Sequence, residues 1–204
     1  MKLFRITCSL LVLLLSLVAL AFVAVHPARA QELNPLPPSF ETCRAGENVT
    51  VCQGERTLSY GPVDTGIVCG SGSSAFDVFD SGTFKQLAIR YYDQDGNLTR
   101  LVIHENYSFG QLSNPLTGKV VPYTQHDTIS YVLAVPGDFS TATETNVGEV
   151  IIKPAHGAPV LFNAGRAVFA PDGTVEFRAG PQDFLDYFVN GDTSVIQPLC
   201  AALA

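Results

Sequence analysis

Glu105 stands where a carboxylate is hard to explain. In the run from Leu101 to Phe109, alternate positions hold Leu101, Ile103, Tyr107 and Phe109, and the only charged residue in that series is Glu105. A strand with this alternation turns one face inward and takes the acid with it. The next long run, Lys119 to Val135, repeats the arrangement. Val121, Tyr123, Ile129, Tyr131, Leu133 and Val135 share a face that Gln125 and Asp127 interrupt. If both strands line one interior, Glu105, Asp127, Gln125, Tyr107, Tyr123 and Tyr131 gather there. A buried carboxylate is costly unless it is paired or protonated. Three chemistries answer that cost. The first is structural, an ion pair between Glu105 and Lys85 or acids placed in water at the mouth of a barrel. The second is a pocket whose acids and tyrosines hold the polar end of an otherwise apolar ligand. The third, ranked last, is catalysis with Glu105 or Asp127 as general acid or base.

The elements that position these residues follow from turn chemistry. Gln94-Asp95-Gly96 reads as a three-residue hairpin loop with Gly96 in the left-handed position. That register places Lys85 opposite Glu105, and it puts Leu87, Ile89 and Tyr91 on the inward face with Leu101, Ile103, Tyr107 and Phe109. Gln86, Arg90, Arg100, His104 and Asn106 then face water. Pro171-Asp172-Gly173 fits the same turn and aligns Ala167 and Phe169 with Val175 and Phe177. Further turn signals lie at Asn114–Gly118, Pro136–Asp138 and His156–Pro159. Strand-like runs joined by short turns, with no helix-period segment between them, predict an all-β antiparallel meander. Its edges are best managed by closure into a seven- or eight-stranded β-barrel. Pro181 followed by Gln182-Asp183-Phe184-Leu185-Asp186-Tyr187-Phe188 predicts one short C-terminal helix. The segment from Cys43 to Gly72 reads as short-range and turn-rich. Residues 31–42, with Pro35, Pro37 and Pro38, read as an extended leader with little order.

The first thirty residues read as an address. Lys2 and Arg5 precede an apolar run from Leu10 to Val25, and Ala28-Arg29-Ala30 supplies a small-residue cleavage site before Gln31. This is the order of a secretory signal peptide, so residues 43–204 are expected as a single exported domain with no membrane insertion. Cys8 leaves with the signal. Cys43, Cys52, Cys69 and Cys200 remain, an even number that implies two disulfides with three pairings open. Cys43–Cys52 and Cys69–Cys200 are the favoured pair. Beyond Ala30, nine Lys and Arg face nineteen Asp and Glu. A balance so acidic argues against nucleic acid, which needs a basic stripe.

Other chemistry has little to stand on. His104, His126 and His156 lack ligand spacing, so no metal and no cofactor is expected. No phosphate loop, dinucleotide loop or nucleophile elbow is present. Three Asn-x-Ser/Thr sequons, at Asn48, Asn97 and Asn106, decide nothing.

Cys69-Gly70, Ala75-Phe76-Asp77-Val78, Val160-Leu161-Phe162-Asn163-Ala164-Gly165-Arg166 and the terminal Leu199-Cys200-Ala201-Ala202-Leu203 resemble a loose set of small exported bacterial proteins. These share a signal peptide, a sheet-rich body and a late cysteine. In outline the meander is similar to lipocalins and to allene-oxide-cyclase or dirigent barrels, although the lipocalin Gly-x-Trp signature is missing. The resemblance implies export and a β fold, and it carries over no functional residues. The expected activity is therefore the binding of a small, partly apolar molecule. The alternative is an extracellular or envelope-associated module that meets an unspecified protein partner through its outer surface.

Overall fold

Runs rich in Val, Ile, Phe, Tyr and Thr between glycine-bearing turns form strands because branched and aromatic side chains pack well on a pleated surface. The computed structural model describes residues 32–204, so the signal-peptide reading lies outside the described residues. Eight strands follow one another: β1 (Thr42–Ala45), β2 (Thr50–Cys69), β3 (Phe76–Tyr92), β4 (Leu98–Ser113), β5 (Val120–Leu133), β6 (Ala142–Ile152), β7 (Leu161–Phe169) and β8 (Val175–Ala179). Each pairs antiparallel with the next in one meander sheet, and among the described residues no ladder joins β8 back to β1. Two short helices end the chain, α1 (Asp183–Phe188) and α2 (Gln197–Leu203). The second of these was not expected.

The segment read as turn-rich is instead largely β2, the longest strand at 20 residues. Its turn signals are absorbed as irregularities in the β2–β3 ladder, between Tyr60 and Val63 and between Asp64 and Val68. Pro62 falls in the first of them, where its missing N–H interrupts no regular pairing.

Both three-residue hairpin loops form as read. The Asp93 N–H donates to the Asn97 carbonyl at 2.9 Å, the Ala170 N–H to that of Thr174 at 2.8 Å, and Gly96 and Gly173 have φ of 76° and 84°. The register beyond them differs, for the same reason in each hairpin. Tyr92 pairs with Leu98, but Tyr91 pairs with Arg100, which leaves Thr99 as an extra residue. Likewise Phe169 pairs with Val175 and Val168 with Phe177, which leaves Glu176 over. A bulge shifts register by one, and a shift by one exchanges faces. The inward face of β3 is therefore Phe84, Gln86, Ala88, Arg90 and Tyr92, not Leu87, Ile89 and Tyr91. A second bulge, at Ser108, turns Phe109 outward and leaves it half exposed.

The expected Lys85–Glu105 ion pair is not formed. Lys85 lies opposite Asn106, and its ammonium is 3.8 Å from Glu55 on the solvent side. Glu105 lies opposite Gln86 instead.

The sheet is strongly curled. Helix α1 spans about 9 Å, yet it touches both β7 and β2. The Phe162 N–H donates to Asp183 Oδ2 at 2.8 Å, and the Val68 N–H donates to the Tyr187 hydroxyl at 3.4 Å. In a flat sheet those strands would stand about 24 Å apart. At this end Ile67, Val78, Leu112, Val121, Ile152 and Leu161, one residue from each of β2 to β7, share a core with Ile196, Leu199 and Leu203. The Cys69–Cys200 disulfide fixes α2 there, and the Asn114 amide donates to the Leu203 carbonyl at 3.1 Å. Cys43–Cys52 joins β1 to β2. At the other end the proline-rich segment is extended but held to the sheet. Asn34 bridges Asn97, the Tyr92 hydroxyl donates to the Pro35 carbonyl at 2.9 Å, and the Glu41 carboxylate, with no exposed side-chain surface, meets Arg90 at 3.0 Å.

Candidate functional site

Two glycines shape one end of the concave face. Tyr60 is paired with Gly82, and the Tyr123 ring lies over Gly110. A Cβ at Gly110 would fall 2.4 Å from ring carbons of Tyr123. The rings lie along the sheet because no side chain stands beneath them, and their hydroxyls meet over Asp80. The Tyr60 hydroxyl donates to Asp80 Oδ2 at 2.7 Å. That of Tyr123 lies 2.8 Å from the Tyr60 oxygen and 3.1 Å from Asp80 Oδ1. Tyr107 stacks on Phe84 at 4.7 Å, with its ring centre 5.7 Å from that of Tyr123. Burial raises Tyr60, Tyr107 and Tyr123 well above the ordinary phenol range, and it raises Asp80 as well. These phenols stay protonated, and those of Tyr60 and Tyr123 donate to Asp80, so they satisfy a half-buried carboxylate. Gly110→Ala should push Tyr123 off its seat and lower the unfolding free energy by about 1–3 kcal/mol, as overpacking does. A urea unfolding midpoint equal to that of wild type would contradict this packing.

Beside this cluster lies a row of polar groups. Glu105 and Asp127 are direct cross-strand partners of β4 and β5, two like charges face to face. Glu105 Oε1 accepts from Gln86 Nε2 at 2.9 Å, and Gln86 Oε1 accepts from Arg56 Nε at 2.8 Å. Arg56 in turn lies over the Phe40 ring. Asp127 Oδ2 accepts from Gln125 Nε2 at 3.2 Å, and among the described residues the buried Oδ1 has no partner. Asp127 lies opposite Gly148, where a Cβ would come within 2.6 Å of its own. Burial pushes the Asp127 carboxyl up to about 6; the Gln125 hydrogen bond opposes that and Glu105 adds to it. On β7, Asn163 Oδ1 is also buried and unpartnered.

These groups open onto cavities that share walls. One of about 270 Å³ lies between Asp127, Asn146, Gly148, Asn163, Phe169 and Phe184. Through Gln125, Val150 and Phe184 it adjoins one of about 400 Å³ lined by Val63, Ile67, Asp80, Leu112, Ile152 and Phe188. Through Phe169 it adjoins a third, of about 350 Å³, beside Tyr131, Phe139 and Glu144. Three acids on the inward face line this trough (Asp80, Asp127 and Glu144) and no Lys, Arg or His does, while Asp64 and Glu149 at its rim are paired with Phe79 and His126 on the outer face. The arginines on this face are engaged elsewhere, Arg90 with Glu41, Arg56 with Gln86 and Arg178 with Asp186.

The six residues singled out from sequence all face this side of the sheet, but they fall into three groups. Glu105, Gln125 and Asp127 form the polar row, Tyr107 and Tyr123 the aromatic cluster, and Tyr131 packs on Phe139 at 4.9 Å at the far end. Tyr60, Asp80, Gln86 and Asn163 were missed. Tyr60 lay in the segment read as turns, and the unseen bulge hid Asp80 and Gln86. The signal that could have found Asp80 was its place in the even series Val78, Gly82 and Phe84. Among the described residues no group of three or more His, Cys, Asp or Glu is placed to hold a metal. No protein-family model matches the chain, and neither curated proteins nor solved structures contain a significant match to it.

Proposed function

We propose that the protein is a secreted carrier that binds a small, partly apolar molecule in the trough, with the curled sheet serving as an open barrel bridged by α1. The observation that supports this reading most is the polarity gradient along adjoining cavities. One end is walled by Val63, Ile67, Leu112 and Ile152, while the other is walled by Asp127 and Asn163, each with a buried oxygen that lacks a donor among the described residues. A buried acceptor without a donor costs free energy in the empty protein, and a ligand that supplies the donor recovers it. The phenols, held protonated, favour binding over acid–base catalysis. Export is consistent with two disulfides and with the N-terminal signal pattern.

Native mass spectrometry of the mature protein, purified without detergent, should show an adduct that denaturation removes. Val150→Trp, which fills the wall common to two of the cavities, should remove the adduct and leave both disulfides intact. A bare wild-type mass, together with no saturable uptake of added amphiphiles, would refute the carrier reading.

A further inference from the structure

We infer that the polar end of the trough selects a protonated primary amine, so that the ligand is a monocationic amphiphile. Its ammonium would sit at Asp127 Oδ1 and Asn163 Oδ1, with its chain running toward Ile67, Leu112 and Ile152. This rests on the carrier reading and narrows it. Among the described residues the unpartnered buried side-chain atoms are both acceptors, and they belong to two residues that line the same cavity. An alcohol has one proton to offer two separate oxygens, whereas an ammonium has three. Charge points the same way, since Asp80, Asp127 and Glu144, from β3, β5 and β6, face the trough and no Lys, Arg or His lines it. An anionic head would meet Asp127 and its cross-strand partner Glu105 with nothing to offset them. A hard divalent metal would want six or more oxygens, and here one carboxylate oxygen and one amide oxygen are free. A quaternary ammonium prefers an aromatic cage and has no N–H to give.

Isothermal titration with octylamine, octanol and octanoate at neutral pH tests both levels, because the three probes share a chain and differ in the head. Octylammonium should bind at least about tenfold more tightly than octanol, the increment of one charge-assisted hydrogen bond, and octanoate should bind more weakly than octanol. Asp127→Asn should bring the amine to within about threefold of octanol, with a cooperative urea transition and both disulfides retained as the report that the fold is intact. Equal binding of all three probes, or octanoate binding best, would overturn the amine assignment and leave the carrier standing. An amine preference that survives in Asp127→Asn would overturn the role of that carboxylate. Binding of none of the three would remove the carrier reading itself.

Discussion

Replacing Cys69 and Cys200 together by alanine is expected to lower the unfolding free energy by about 4–5 kcal/mol, the largest loss of any change considered. The pair is separated by 131 residues, so in the unfolded state the bond closes a loop of about two thirds of the 204-residue chain. In the chain-entropy account that constraint grows with the logarithm of loop length. The native side adds to it, because the bond anchors α2, whose Leu199 and Leu203 are fully buried. The contrast is Cys43–Cys52, nine residues apart on the short β1–β2 hairpin. Its removal should cost only about 2–3 kcal/mol and should loosen the sheet edge alone. Urea unfolding of the two double variants at neutral pH separates the cases. Equal losses would mean that the long loop keeps its ends together without the bond. The long-range variant should also lose ligand before it unfolds, because α1 lies on the segment that the bond restrains and carries Phe184, a wall of two cavities.

What could be read from the sequence was whatever is encoded locally. The hairpin loops at Gly96 and Gly173 follow from dipeptide chemistry, and the inward series Leu101, Ile103, Glu105 and Tyr107 from strict alternation. The residues that were lost depended on a ladder rather than on a strand. Thr99 looks like any strand residue, and nothing beside it shows that it is skipped; the bulge exists because of how β4 must lie against β3. Its consequence is large, since it turns Gln86 and Arg90 inward and removes Lys85 from Glu105. Gly61-Pro62 was legible as a break, but whether a break ends a strand or only kinks it is decided by the partner. Here β3 runs past it, from Asp80 beside Val63 to Gly82 beside Tyr60. The glycine seats under Tyr60 and Tyr123 were invisible for the same reason. Each depends on a residue of the neighbouring strand, not on its own sequence context.

Asp127→Asn is expected to raise the stability of the ligand-free protein at neutral pH by about 1–2 kcal/mol while it removes the preference for an amine. In the fold the carboxyl is raised to about 6 from 3.8, chiefly by burial. An acid raised on folding holds a proton in the folded state after the unfolded chain has released it, so stability falls as pH rises from about 4 to about 6, and the full penalty remains above that. Two units correspond to about 3 kcal/mol, and the solvent that still reaches this residue reduces the figure to the range given. The groups around Asp127 compensate only in part: Glu105 faces it from β4 and adds to the shift, Gly148 faces it from β6, and the Gln125 hydrogen bond and His126, on the exposed face of β5, oppose burial without cancelling it. Asparagine keeps an acceptor for Gln125 and places a donor where the unpartnered oxygen stood. Urea unfolding at several pH values should show wild type gaining stability on acidification toward pH 5 and the variant gaining less. Amine binding by wild type should weaken over the same interval, as protonation removes the charge that holds the ammonium, while octanol binding stays level. A variant less stable than wild type at neutral pH would show that the carboxylate has a partner in solution, and both the penalty and the binding site built on it would fall. If the variant is more stable but no longer selective, the strain at Asp127 is there for the ligand.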